Sequence, residues 1–249
     1  MDNLEWNDGF TPRFGLFSVD YEDPMRPRSI KYSGTYYSNL AANNGFSKEA
    51  PYLALNKKFP DNFIWATATA SYQIEGGVFE GGREPSIWDQ SCKTCKEFKG
   101  WWNGNEGCDA YVKNNDNGDV ACDSYNNWET DVENLKKLGV NSYRFSISWS
   151  RVMKESGEEN AEGIAYYTNL IDALVEADIE PMVTIFHWDL PNYLQVKYDG
   201  WKNETIIDRY VGYSRLCFEK WGSKVPRWIT FNEPWVFTEL GYGTGERQG

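Results

Sequence analysis

The feature that most limits what this chain can fold into is an alternation of two hydrophobic periods. From Tyr125, apolar residues recur at three- and four-residue steps (Tyr125, Trp128, Val132, Leu135, Leu138) and stop at Gly139. That is an amphipathic helix with a glycine terminator. Val140 to Trp149 follows, with the strand-like run Tyr143-Arg144-Phe145-Ser146-Ile147-Ser148-Trp149. A second helical pattern covers roughly Ala161 to Ala177, with Ile164, Tyr167, Ile171 and Leu174 on one face. Pro181 to Phe186 reads as a strand, Glu204 to Trp221 as a third helix, and Arg227 to Phe231 as a further, buried strand. Strands that alternate with helices belong to a parallel sheet.

Upstream, Phe59-Pro60-Asp61-Asn62-Phe63-Ile64-Trp65-Ala66-Thr67 reads as the opening strand of the same series, giving four strand–helix steps from Asn62 onward. A closed barrel needs eight. Residues 1–46 hold a Phe17-Ser18-Val19 run, a Pro/Arg segment, and a helical pattern from about Ser29 to Leu40 with Ser29 as its N-cap. Residues 47–58 read as a linker and 59–249 as the main unit.

Composition narrows the function. The 249 residues are 41% hydrophobic and 16% aromatic, enough for one large core. A net charge of −12 disfavours nucleic acid and anionic membrane surfaces as partners. No apolar run is long enough to span a bilayer, so no membrane anchor is read in this segment. Met1 to Phe10 is acidic and polar, unlike a signal peptide. Four of the five cysteines (Cys92, Cys95, Cys108, Cys122) fall in one Gly- and Asn-rich stretch. Loop disulfides formed in an oxidising compartment suit them better than zinc, because the second pair lacks C-x2-C spacing. Asn203-Glu204-Thr205 is an N-glycosylation sequon.

Chemistry concentrates at Thr230-Phe231-Asn232-Glu233-Pro234-Trp235. Proline cannot continue a ladder, so the strand stops and Glu233 is held at its C-terminal edge. In a parallel barrel catalytic groups sit at that edge. Taken alone, Asn-Glu-Pro is more often a strand end with a solvated carboxylate. Other strands, however, also end in polar or aromatic residues: Gln73, Arg144 and His187-Trp188, with Glu5-Trp6 near the start of the chain. Together these would face one rim.

These segments (the opening run through Ser71-Tyr72-Gln73-Ile74-Glu75-Gly76, His187-Trp188-Asp189-Leu190-Pro191, and Thr230-Phe231-Asn232-Glu233-Pro234) resemble glycoside hydrolase family 1, the retaining β-glycosidases. The resemblance implies an α/β fold, a (β/α)8 TIM barrel that is incomplete here. Strands one to four would be joined by a strand-eight and helix-eight segment at the N-terminus. Since that closing segment comes first, residues 1–46 look like the end of a preceding module. Tandem family 1 modules of the lactase-like or klotho-like kind have this layout, and their full-length parents imply an extracellular or secretory-pathway setting.

The family implies a β-linked glycoside as substrate and no cofactor or metal. Glu233 would be the general acid/base, and Arg144 would lie under the nucleophile and keep it ionised. Gln73, His187, Trp188 and Asn232 would bind the sugar, joined by Glu5 and Trp6, with Phe14 at the aglycone entrance. Glu75 is read as structural. Retaining hydrolysis needs a second carboxylate about 5–5.5 Å from the first. The family carries it on strand seven in a Thr-Glu-Asn-Gly segment, and no such segment occurs in these residues. The expected function is that of a β-glucosidase-type hydrolase whose isolated front portion is inactive. The alternative is a non-catalytic sugar-binding or klotho-type receptor module, or an inactive fragment.

Overall fold

The computed structural model describes residues 1–46, 58–92 and 112–244. The linker expected over 47–58, Cys95 and Cys108 lie almost wholly or wholly outside them. The first elements are β1 (Phe17–Val19) and β2 (Arg28–Ile30), which pair antiparallel with Phe17 opposite Ile30. Helix α1 (Tyr32–Asn43) follows and ends on Asn44 in the left-handed region. Ser29 is therefore not a helix cap. It sits in the β1–β2 ladder opposite Ser18, and the helix begins only after Lys31.

Strand β3 (Ala66–Ala68) leads into the short helices α2 (Ser71–Ile74) and α3 (Ile87–Ser91). Helix α4 (Ser124–Leu138) ends at Gly139, whose φ of 67° is one that glycine adopts without strain. Strand β4 (Ser142–Ser146) is shorter than the apolar run suggests. After Ile147 N–H donates to the Thr184 carbonyl, Ser148 N–H turns to the Tyr167 hydroxyl. The chain then coils into α5 (Trp149–Val152), so Trp149 is helical. Helix α6 (Ala161–Glu176), β5 (Glu180–Phe186), α7 (Asn192–Tyr198), α8 (Thr205–Trp221) and β6 (Arg227–Phe231) complete the series. A π-helical segment, Val236–Gly243, follows.

The main sheet has the order β3-β4-β5-β6, every neighbouring pair parallel. This is half of a (β/α) barrel, and all the strands point their C-terminal ends the same way. The inner strands are the apolar ones. Val183 and Ile185 are fully buried, as are Ile171 and Leu174 on the facing side of α6. Each such side chain contributes roughly 1.5–3 kcal/mol of burial free energy. Trp149 of α5 stacks on Tyr213 of α8 at 4.7 Å, and the Tyr213 hydroxyl, which donates to the Ile147 and Ile185 carbonyls, clamps α8 to the sheet. Strand β6, expected to be buried, is half exposed because it is the outermost strand of the sheet and, among the described residues, no strand pairs with its outer edge.

Residues 1–46 lie against the β3 side of this sheet. The Tyr37 hydroxyl donates to the Ala66 carbonyl, and the buried Arg28 guanidinium pairs with Asp131 of α4 at 2.9 Å. Leu4 N–H donates to the Gln73 carbonyl. A cavity of about 250 Å³ remains between this segment and the sheet, lined by Phe14, Arg28, Asp131 and Tyr143 among others. Cys122, expected in a disulfide, is a buried thiol that donates to the Asp2 carbonyl at 3.1 Å. Burial pushes that thiol up to about 12. Among the described residues no helix is long and apolar enough to cross a membrane, and no metal-holding group of His, Cys, Asp or Glu is present.

Candidate active site

The C-terminal ends of β4, β5 and β6 converge on one hydrogen-bonded cluster. Arg144 lies in β4, directly opposite Met182 of β5, and its guanidinium reaches sideways across the sheet. Its Nε donates to Thr184 Oγ1 at 3.0 Å, and its Nη2 donates to Asn232 Oδ1 at 2.6 Å. The guanidinium is a rigid planar fork. Pinning Nε and Nη2 along one edge leaves the far edge, Nη1 and the second Nη2 hydrogen, pointing away from both partners. Burial lowers the Arg144 pKa, and the charge of Glu233 opposes that shift.

Asn232 is held from three sides. Its N–H donates to the Phe186 carbonyl, its carbonyl accepts from Trp188 Nε1 at 2.9 Å, and its side-chain oxygen accepts from Arg144. The side-chain Nδ2 is left to donate elsewhere. Immediately after it, Glu233 has φ +43° and Trp188 has φ +72°, a left-handed backbone that bulky L-residues rarely adopt. Such strain, of order 1–3 kcal/mol per residue, clusters at functional sites. The Glu233 side chain itself is exposed on the open flank beyond β6.

His187 follows β5 directly. Burial and the nearby Arg144 charge lower its pKa to about 3, so its imidazole is neutral at ordinary pH. Its Nδ1 is buried with no protein hydrogen-bond partner among the described residues. Trp6 stacks on His187 at 5.8 Å and 17°, tilts against Trp188 at 4.8 Å, and touches Trp88 at 4.7 Å. Glu5, its neighbour, closes a tight turn in which Glu5 N–H donates to the Gly9 carbonyl. Gln73 is nearly buried and its Nε2 donates to the Leu4 carbonyl at 2.6 Å. Gln73 thus spends one amide hydrogen on the segment that carries Glu5 and Trp6.

The structure therefore gathers Arg144, His187, Trp188, Asn232 and Glu233 at one edge, with Trp6 and Gln73 beside them. Phe14 stands apart, 61% exposed at the mouth of the cavity between β1 and β3. Three residues to which sequence reasoning gave no role prove to hold the site. Thr184 anchors Arg144. Asp189, buried next to Trp188, accepts from Ser71 Oγ at 2.7 Å, and Ser71 N–H donates to Ser146 Oγ at 2.7 Å. This bridge ties the loop after β5 to the loop after β3. The period-two alternation of β5 was the available signal for Thr184, since it shares a face with Met182, the residue opposite Arg144. Glu75 accepts from Arg151 Nε at 2.9 Å and from the Tyr167 hydroxyl, a buried network directly behind Gln73.

Comparison with known proteins shows the family. The glycosyl hydrolase family 1 model matches residues 1–46 and 55–248. Lactase/phlorizin hydrolase from Rattus norvegicus is 45% identical over 247 residues, covering 98% of this chain and 12% of that protein. β-Glucosidase A from Thermotoga maritima is 49% identical over 187 residues, covering 75% of this chain and 39% of its own length. The solved structure of a Thermotoga maritima β-glucosidase in complex with castanospermine superimposes with a TM-score of 0.66 at 49% identity, over 74% of this chain and 39% of that one. The chain thus spans well under half the length of these relatives. With the parallel sheet, the strand-end cluster and a match across nearly every residue, the chain belongs to glycosyl hydrolase family 1.

Proposed function

We propose that this chain is the front half of a retaining β-glycosidase that acts on β-glucosides or β-galactosides. The observation that carries the reading is the Arg144 fork. Two of its donors are fixed by Thr184 and Asn232, and its far edge is presented for a carboxylate. A cation so placed keeps a neighbouring carboxylate ionised, as a nucleophile requires. Glu233, at the same strand edge, takes the acid/base role: it protonates the leaving oxygen and then activates water. The neutral His187, with its unpartnered Nδ1, and the Nδ2 of Asn232 are hydrogen-bonding groups suited to sugar hydroxyls. Trp188 walls the sugar pocket, Gln73 and Glu5 grip hydroxyls at its inner end, Trp6 lies beside the ring, and Phe14 sits toward the aglycone side. The nucleophile is supplied by strands outside these residues.

The same reading extends to organisation. In sequence order residues 1–46 close one family 1 module and residues 59–249 open the next, and within this chain the closing segment packs beside β3, which is what sets Trp6 against His187. The two β-glycosidase alignments support this division. Lactase/phlorizin hydrolase aligns over 98% of the chain, whereas the Thermotoga β-glucosidase aligns over 75%. A tandem parent of this kind passes through the secretory pathway.

The decisive experiment uses the complete parent enzyme. Glu233→Gln should abolish turnover of β-glucosides with poor leaving groups while sparing the glycosylation step for activated aryl glucosides. Unchanged turnover of poor-leaving-group substrates by that variant would remove Glu233 from its role. The purified 249-residue chain alone should give no steady turnover.

A further inference from the structure

We propose that Asn203 is the acceptor of an N-linked oligosaccharide, carried at the rim of the candidate site. Asn203-Glu204-Thr205 is the sole Asn-x-Ser/Thr sequence in the 249 residues. It could have fallen in a strand or on the buried side of a helix, where it would be useless. Instead both Asn203 and Thr205 are exposed, in the turn that enters α8. The Asn203 Oδ1 accepts from Thr205 N–H at 3.0 Å. That bond holds the carbonyl oxygen inward against the turn and leaves Nδ2, the atom to be glycosylated, facing outward.

The location gives the modification a consequence. In a parallel sheet each helix begins at the edge where the preceding strand ends, so the start of α8 lies at the C-terminal edge of the sheet. Two residues earlier, Trp201 packs on Phe186 at 5.0 Å and on Phe231 at 5.4 Å, the last residues of β5 and β6. A glycan on Asn203 therefore stands beside the strand ends that carry His187 and Asn232, over the flank left open by β6.

The reaction is a group transfer from a lipid-linked oligosaccharide pyrophosphate, catalysed by an oligosaccharyltransferase. The Asn203 Nδ2 attacks the anomeric carbon of the first N-acetylglucosamine, and a new C–N bond forms. The bond from that carbon to the pyrophosphate oxygen breaks, and the lipid pyrophosphate departs with its electron pair. The amide nitrogen gives up one proton to a base on the transferase. No redox step is involved.

This inference rests on the secretory reading above, and the test separates the two. The chain is expressed in insect cells behind an appended secretion leader. Secreted and cell-retained pools are treated with peptide-N-glycosidase in heavy-oxygen water and mapped by mass spectrometry. Both pools should lose mass on the enzyme, with heavy-oxygen aspartate appearing at position 203 alone. Asn203→Gln and Thr205→Ala should abolish the shift, and Thr205→Ser should keep it. Unmodified Asn203 in both wild-type pools overturns the proposal, as does a shift that survives Asn203→Gln. If the acceptor works in this host but Asn203 is bare in protein isolated from its natural source, the secretory reading fails while the acceptor geometry stands.

Discussion

Arg144 and Asn232, 88 residues apart in sequence, are joined by a 2.6 Å hydrogen bond that spans two strands. Arg144 stands in β4 and Asn232 just past β6, with β5 between them, so the guanidinium crosses over Thr184 to reach its partner. Removing either acceptor strands a partly buried cation. A hydrogen bond to a charged group is worth about 1.5–3 kcal/mol. Asn232→Ala should lower unfolding free energy by about 1–2 kcal/mol in urea titrations of the chain. Thr184→Val, which keeps the shape and removes the hydroxyl, should cost about 1 kcal/mol, with Thr184→Ser recovering most of it. An unchanged urea midpoint for both Asn232→Ala and Thr184→Val would show that the fork is not held as described.

Glu233 should be a residue whose replacement stabilises the fold. Its φ of +43° costs an L-residue roughly 1–2 kcal/mol, and glycine escapes most of that at an entropic cost of roughly 0.5–1 kcal/mol. Glu233→Gly is expected to raise stability by up to about 1 kcal/mol. A Glu233→Gly variant less stable than wild type would mean the left-handed geometry is not strained.

The buried network behind Gln73 should be far more sensitive. Arg151 is wholly buried, its Nε donates to Glu75, its Nη2 donates to the Gly76 carbonyl at 2.8 Å, and it covers the Tyr125 ring at 4.1 Å. Breaking a buried ion pair from one side costs about 3–5 kcal/mol, because the other charge is left unpaired. Arg151→Met should therefore be among the most damaging single changes, read as a large loss of chemical stability or of soluble yield. A Glu75→Gln, Arg151→Met double variant that is more stable than Arg151→Met alone would confirm that the stranded carboxylate carries the penalty.

Two neighbours in one loop give opposite pH dependences. Burial is the main cause that raises the Asp189 carboxyl from its ordinary value near 3.8 to about 7. The folded state therefore favours the protonated acid, so its contribution is fully present below pH 3.8 and is lost as pH rises toward 7. His187 is lowered from 6.5 to about 3, chiefly by burial. Its contribution is present above pH 6.5 and is lost as pH falls toward 3. Thermal melts should show Asp189→Asn flattening the decline between pH 4 and 7, and His187→Gln flattening the decline below pH 6.5. Parallel pH curves for wild type and Asp189→Asn would refute the first assignment.

What could be read from sequence divides along a physical line. Helices α4, α6 and α8 and strand β5 were legible because each obeys one period over many residues and is stopped by a local signal such as Gly139. The end of β4 was not, since Ile147 and Trp149 are as apolar as strand residues and only the Tyr167 hydroxyl, from a different helix, draws the chain out of the ladder at Ser148. Ser29 looked like a cap because capping is a local preference, whereas its pairing with Ser18 is set by a hairpin partner. The exposure of β6 is a property of its place in the sheet and leaves no mark on its own apolar residues. Among site residues, those with distinctive chemistry at strand ends, His187 and Glu233, stood out. Thr184 and Ser71 did not, because a hydroxyl that orients another side chain looks like any other until the partner is in place.

That unpaired flank of β6 has a bearing on how such a barrel is made. A strand with one row of free N–H and C=O groups is a template that accepts any extended segment. In a chain synthesised from its N-terminus, the buried strands β4 and β5 and their clamping helices can consolidate first. They would then offer β6 as a seeded surface on which any further extended segment could register. Held without such a partner, the same surface would recruit a second copy instead, so the chain should associate more as its concentration rises.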